Sequence, residues 1–165
     1  AFGAAKLWAP ERFAAVLDVL SDRRGWRGVV GGGPAEGHLV RAVAGASKRG
    51  ALHQADAPGS LAELRALVAE AALVLVGDSG PRWVAAAFDV PCVTILGPNI
   101  PQLTASSLER CEVVRLGGLE CSPCAERVCP LGHHRCMQDL TVEAVLGGVE
   151  RVLARANPSL ETVCN

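Results

Sequence analysis

The sequence predicts an α/β domain, a Rossmann-like parallel sheet with helices on both faces. Three observations predict it. Segments with apolar residues at i, i+3, i+4 and i+7 alternate along the chain with short, unbroken apolar runs. Glycine- and proline-rich turns join the two kinds of segment. Half of the 165 residues are apolar, mostly Ala, Val and Leu, while aromatics make up 4% and Tyr is absent. That composition suits helices packed on a buried sheet better than a carbohydrate-binding β-sandwich lined with aromatic rings.

Each element has a local reason. Pro10-Glu11-Arg12 opens a helix, because Pro lacks only an N–H that the first turn cannot use and Glu suits the positive end of the helix dipole. Phe13, Val16, Leu17 and Leu20 form its apolar stripe. Gly28-Val29-Val30 is a short strand that runs into Gly31-Gly32-Gly33-Pro34, and a second helix starts near Ala35 with Leu39, Val40 and Val43 inward. Ala51-Leu52-His53 is a further short strand. Ser60 caps a helix whose stripe is Leu61, Leu64, Leu67, Val68 and Ala71. Leu73–Val76 reads as a central strand covered on both faces. It ends in Gly77-Asp78-Ser79-Gly80-Pro81, and Pro81 begins a helix through Ala87. Cys92–Leu96 is another buried strand, stopped by Gly97-Pro98, and Cys111–Leu116 is one more. Thr141 caps the last helix, Val142, Val145, Leu146, Val149, Val152 and Leu153 hold its stripe, and Asn157-Pro158 stops it. The connections from Gly97 to Arg110 and from Leu119 to Leu140 are long for a compact domain, which points to function.

Composition also excludes. A formal net charge of -1 gives no general drive toward nucleic acid or anionic lipid. No apolar run approaches the roughly 20 residues that span a bilayer. The start, Ala1-Phe2-Gly3-Ala4-Ala5-Lys6, has neither an initiator Met nor the layout of a signal peptide, and reads as a cut into a longer protein. The seven cysteines, four of them between Cys121 and Cys136, do not resemble a secreted disulfide framework and point to the cytosol.

Ligands of open parallel sheets bind beyond the carboxyl ends of the strands, at helix N-termini. Two such ends stand out. At Gly31-Gly32-Gly33-Pro34-Ala35-Glu36, glycines admit a ligand to the backbone and a carboxylate waits one turn in. At Asp78-Ser79-Gly80-Pro81, the N–H groups of Ser79 and Gly80, a hydroxyl and a helix dipole suit a pyrophosphate. The plain alternative for each is a strand-to-helix turn whose Asp or Ser only caps the helix. The dinucleotide fingerprint G-x-G-x-x-G is not met, because Glu36 stands where the third glycine belongs. Cys121, Cys124, Cys129 and Cys136, with His133 and His134, have spacing compatible with tetrahedral zinc. A redox pair at Cys121-Ser122-Pro123-Cys124 and reduced thiols packed in a loop stay open beside it.

Taken together, these segments resemble a family. Cys121-Ser122-Pro123-Cys124 with Arg127-Val128-Cys129-Pro130-Leu131-Gly132-His133-His134-Arg135-Cys136-Met137 looks like the cysteine-rich stretch of the ADP-heptose:lipopolysaccharide heptosyltransferases, the heptosyltransferase II type in particular. Ala5-Lys6-Leu7-Trp8, Gly32-Gly33-Pro34-Ala35-Glu36, Val76–Pro81 and Leu96-Gly97-Pro98 match in order, so that the likeness covers almost the whole chain. The resemblance implies the C-terminal, donor-binding half of a GT-B glycosyltransferase over residues 1–157, with the cysteine-rich loop 119–140 inserted and a tail at 158–165.

The family's roles then fall on particular residues. Lys6 would lie against the donor phosphates, Glu36 against the adenosine, Asp78, Ser79 and Gly80 against the pyrophosphate and heptose, and Gly33 joins them as a donor-binding residue. Trp83 stands where the family often has His and cannot supply an imidazole. Many relatives lack some of the cysteines, so the resemblance implies no metal and no cofactor, and Arg127, His133, His134 and Arg135 are left as a basic loop for a phosphorylated acceptor. The reaction implied is inverting transfer of heptose from ADP-heptose to the lipopolysaccharide inner core, with the general base on an N-terminal domain and no catalytic residue in this chain. The setting implied is cytoplasmic, at most peripheral on the inner membrane. Two rivals remain: a donor domain for another nucleotide sugar, such as a UDP-sugar, and a non-catalytic zinc or redox module.

Overall fold

A computed structural model describes residues 3–57 and 59–156. The proposed helix stop at Asn157-Pro158 and the tail 158–165 lie outside the described residues. The chain forms two compact units, one of Trp8–Leu64 and the other of Ala1–Leu7 with Arg65–Asn165.

In the Trp8–Leu64 unit, helix α1 spans Pro10–Arg24 and strand β1 is Val29–Val30. Helix α2 follows at Gly37–Ala46 and strand β2 at Leu52–His53. Gly25 ends α1 with φ 67°, a left-handed turn that costs glycine little. Strands β1 and β2 pair in parallel, Val29 with Leu52 and Val30 with His53. The buried residues of α1 are Ala14, Val16 and Leu20. Phe13 instead meets the buried Trp8 edge-on, with ring centroids 5.1 Å apart. Asp18 of α1 ties down the end of α2, accepting from the Ser47 hydroxyl at 2.7 Å and from the N–H groups of Lys48 and Arg49 at 2.9 and 3.1 Å.

Helix α3 spans Leu61–Ala69. Ser60 caps it as the sequence predicts. The Glu63 N–H donates to Ser60 Oγ at 3.2 Å while Glu63 Oε2 accepts from the Ser60 N–H at 2.6 Å, a reciprocal capping box. Its stripe is less buried than expected, since Leu61 and Leu67 are exposed and Val68 alone of the helix is buried.

The other unit holds strand β3 (Val74–Gly77), helix α4 (Pro81–Ala87), strands β4 (Cys92–Ile95) and β5 (Cys111–Val114), and helices α5 (Arg135–Gln138) and α6 (Val142–Ala156). Its sheet is parallel throughout, in the order β3-β4-β5. The central strand is therefore β4, whose four residues are all buried, whereas β3 sits at an edge of this sheet and is only partly covered. An apolar run is compatible with either position, so composition alone does not fix the order of strands. Helix α6 packs on β4 and β5 through Val145, Leu146, Val149 and Val152. The approach is so close that a Cβ on Gly148 would come within 2.4 Å of Val114 Cγ2. Thr141 Oγ1 accepts from the Ala144 N–H at 3.2 Å, the predicted cap. Among the described residues no helix is long and apolar enough to cross a membrane.

Candidate functional site

The carboxyl end of β3 is where chemistry gathers. The Asp78 N–H donates to Ile95 O at 3.1 Å, which extends the strand pairing by one residue and fixes the carboxylate just past the sheet. Lys6 Nζ donates to Asp78 Oδ2 at 2.8 Å, and both side chains are almost buried, 10% and 12% exposed. Asn99 Nδ2, from the turn after β4, donates to the same oxygen. A carboxylate taken out of water to this degree needs charged and hydrogen-bonding partners, and it has both.

Ser79 Oγ donates back to Gly77 O at 3.2 Å, so the hydroxyl braces the turn. Gly80 has helical φ and ψ of -50° and -42° directly before Pro81. A Cβ there would crowd the proline ring, which gives this glycine a local reason to be glycine. Trp83 is exposed on α4, and the Arg82 guanidinium lies 4.1 Å from its ring centroid.

The cysteine-rich loop builds the rest of this end of the unit. It lies over the turn after β4: Ala125 N donates to Pro98 O at 2.7 Å and Ser122 Oγ to Gly97 O at 3.2 Å. A Cβ on Gly97 would sit 2.4 Å from Met137 Sδ, so the Met137 side chain packs directly on this glycine. The loop also grips the 3-10 turn Ala4–Lys6. Ala5 N donates to Arg127 O at 3.0 Å, and Ala5 O lies 2.6 Å from His134 Nε2, which must carry the proton. His134 is thus bonded to the residue next to Lys6.

Cys121, Cys124, Cys129 and Cys136 line one cavity of about 20 Å³ with His133 and His134. Among the described residues no three His, Cys, Asp or Glu side chains are grouped so as to hold a metal ion. His133 Nδ1 accepts from the Arg135 N–H at 3.1 Å, which leaves Nε2 protonated and directed at Cys121 Sγ, 4.0 Å away. The thiols differ. The His134 N–H, with those of Leu131, Gly132 and His133, holds the Cys129 thiol below the usual range. Burial pushes Cys136 up, and the neighbouring sulfurs of Cys124, Cys129 and Cys121 add to it.

In the Trp8–Leu64 unit, Glu36 stands at the N-cap position of α2 rather than one turn inside it. Its Oε2 accepts from the Gly33 N–H at 2.8 Å and so braces the glycine loop. A Cβ on Gly32 would come within 2.8 Å of Val40 Cγ2, a packing reason for one of the three glycines.

Sequence reasoning singled out Lys6 and Asp78 separately, and the structure brings them together with Ser79 and Gly80 beside them. It missed Asn99, for which Gly97-Pro98-Asn99 at the end of a buried strand was the available signal. It also missed that His134 points at the backbone of Ala5.

The model of glycosyltransferase family 9 (heptosyltransferase) matches residues 1–135. The chain is 30% identical over 159 residues to lipooligosaccharide heptosyltransferase 2 of Campylobacter jejuni, covering 94% of this chain and 49% of that protein. The fold matches E. coli ADP-heptose lps heptosyltransferase II with a TM-score of 0.76 at 24% identity, over 94% of this chain and 44% of that one. It also matches E. coli heptosyltransferase WaaC, solved with ADP, with a TM-score of 0.67 at 23% identity, over 90% of this chain and 41% of that one. The chain spans about half the length of the curated relatives it matches.

Proposed function

This chain belongs to glycosyltransferase family 9, and from that premise we propose that it is the donor-binding part of an inverting heptosyltransferase that takes heptose from ADP-heptose to the inner core of lipopolysaccharide. One observation carries the reading: Lys6, Asp78 and Asn99 meet at the carboxyl end of β3, the place where parallel sheets bind ligands. Transfer from a nucleoside diphosphate sugar builds negative charge on the departing diphosphate. An ammonium already held in place meets that charge with no reorganisation at the moment of reaction. Asp78 fixes where the amine points, and Asn99 helps to hold Asp78.

Ser79 and Gly80 contribute the backbone that lets the diphosphate approach, and Gly33 and Glu36 are the donor-binding candidates of the Trp8–Leu64 unit. No carboxylate of this cluster is assigned as the general base, because Asp78 is committed to Lys6 and Asn99. The acceptor and the base then belong to an N-terminal domain, and the working enzyme is cytoplasmic, peripheral on the inner membrane at most. Calorimetric titration with ADP, UDP and GDP tests the donor class. Preference for ADP supports the reading; equal or stronger binding of UDP or GDP points to a different nucleotide sugar.

A further inference from the structure

At the opposite end of the β3-β4-β5 sheet from the Lys6–Asp78 cluster lies a second constellation that donor binding does not use. Cys92 opens β4 and Cys111 opens β5, and the two are register partners in a parallel pair. Adjacent strands lie about 4.7–4.9 Å apart, inside the Cα separation that a disulfide accepts. Both side chains lie on the face that carries Thr94, whose Oγ1 is 3.8 Å from Cys92 Sγ and 3.5 Å from Cys111 Sγ. From α4 the Arg82 side chain, 1% exposed, donates from Nε to Cys111 Sγ at 3.4 Å and from a terminal nitrogen to Ser106 O at 2.6 Å. A cation this deep favours negative charge on the sulfur beside it. Cys92 and Cys111 also line a cavity of about 100 Å³ together with Ser107, Glu109 and the Asp89–Arg110 ion pair (3.0 Å). That is ample room for a small reagent such as a peroxide.

We propose that Cys111 is a thiol reactive toward small peroxides, and that its oxidation leads to a disulfide with Cys92 across β4 and β5. The Cys111 thiolate sulfur attacks one peroxide oxygen, the O–O bond breaks, and hydroxide leaves to take up the proton that the thiol gave up. Cys111 is then a sulfenic acid. The Cys92 sulfur attacks the Cys111 sulfur, the S–O bond breaks, and hydroxide departs with the Cys92 proton as water. Two thiols are oxidised and one peroxide is reduced to two waters. The direction of the two acidities agrees with these roles. Hydrogen bonding from Cys92, then from Thr94 and Arg82, pulls the Cys111 thiol down against the cost of burial, and the same Cys92–Cys111 contact together with burial pushes Cys92 up. Cys111 is the attacking thiolate and Cys92 the resolving thiol.

The test is peptide mapping by mass spectrometry of the reduced chain titrated with hydrogen peroxide, in steps that pass the equivalents the loop thiols consume, with rapid alkylation at each step. A Cys92–Cys111 cross-linked peptide is expected. In Cys92→Ser, Cys111 should accumulate as a sulfenic acid that dimedone labels, and Arg82→Gln should slow its formation by at least about tenfold. Should Arg82→Gln not fold, the wild-type map decides. Cys111 still reduced once the loop thiols are consumed overturns the proposal. So does dimedone labelling of Cys111 at the same rate in folded Arg82→Gln.

Discussion

Lys6 and Asp78 are 72 positions apart in the sequence, yet Lys6 Nζ and Asp78 Oδ2 are 2.8 Å apart in the fold. The pair is almost buried, so it is neither a solvated surface bridge nor a bond indifferent to its surroundings. If the amine also meets the donor diphosphate, Lys6→Ala should weaken ADP binding by about 1.5–3 kcal/mol, the scale of a hydrogen bond to a charged group. Adenosine, which has no phosphate, should lose far less. Calorimetry with both ligands separates the roles, because equal losses would make Lys6 structural only.

His134 should influence the same binding without touching the ligand. Its ring bonds Ala5 O at 2.6 Å and thereby fixes the turn that carries Lys6. His134→Ala is expected to weaken ADP binding several-fold, by about 1 kcal/mol, the ordinary worth of one hydrogen bond. His134→Gln, which keeps a side-chain N–H donor, should recover part of it. Unchanged ADP affinity in a folded His134→Ala would separate the loop from the donor cluster.

The cysteine-rich loop should hold its shape without metal. Its order comes from bonds to Gly97, Pro98 and Ala5, and no metal-holding group forms among the described residues. Treatment with a chelator should leave the melting temperature unchanged, and metal analysis after gel filtration should find less than one equivalent. Zinc at one equivalent, lost in Cys124→Ser, would contradict this. Alkylation kinetics at neutral pH supply a second reading. Cys129, with N–H groups stabilising its thiolate, should react before Cys136, whose thiolate is disfavoured by burial and by nearby sulfur.

The elements themselves were legible because their signals are local. The Pro10 and Pro81 helix starts, the Ser60 and Thr141 caps and the α6 stripe all depend on residues within one or two turns, and all appear in the structure. Strand order is different. An unbroken run such as Leu73–Val76 says that a strand is apolar and does not say which neighbours flank it; within the β3-β4-β5 sheet it is β4 that has a strand on each side. The site was half legible for the same reason. Asp78 and Lys6 carry recognisable motifs, but their pairing, the arrival of Asn99 and the reach of His134 to Ala5 are contacts between distant stretches. No pattern in one stretch of sequence encodes them.

Glu112 gives the β3-β4-β5 unit a pH dependence. Burial raises the affinity of its carboxyl for a proton, but Arg151 at 2.7 Å and Arg155 at 2.8 Å outweigh burial and hold it below the ordinary carboxylate range. The stability this contributes is complete above the unfolded carboxyl's own range and is lost as pH falls through the depressed folded value. Both arginines are about half exposed, so the contribution at pH 7 is about 1 kcal/mol. Urea unfolding of Glu112→Gln and wild type should therefore differ at pH 7 and converge toward pH 3. A gap of constant size across that range would show that the charge on Glu112 is not what stabilises.

What this chain does by itself follows from where its charges are spent. The Lys6–Asp78–Asn99 cluster and its neighbouring backbone lie within one unit, so the anchoring point proposed for a nucleoside diphosphate needs no second unit. Transfer asks for more. A base must take the acceptor's proton, and the carboxylate at this strand end already accepts from a lysine and an asparagine. The acceptor must also be held in line with the donor, and losing that positioning forfeits about 7–11 kcal/mol of barrier lowering. The 165-residue chain is therefore expected to bind ADP weakly, for want of a closing partner that excludes water. It should transfer no heptose to a lipopolysaccharide core acceptor. Adding the N-terminal part of a family 9 relative in trans should restore some turnover. Measurable transfer by the chain alone would place the general base among these residues. In that event Asp78→Asn is the first variant to assay, because loss of turnover with ADP binding retained would convert Asp78 from an anchor for Lys6 into the proton acceptor.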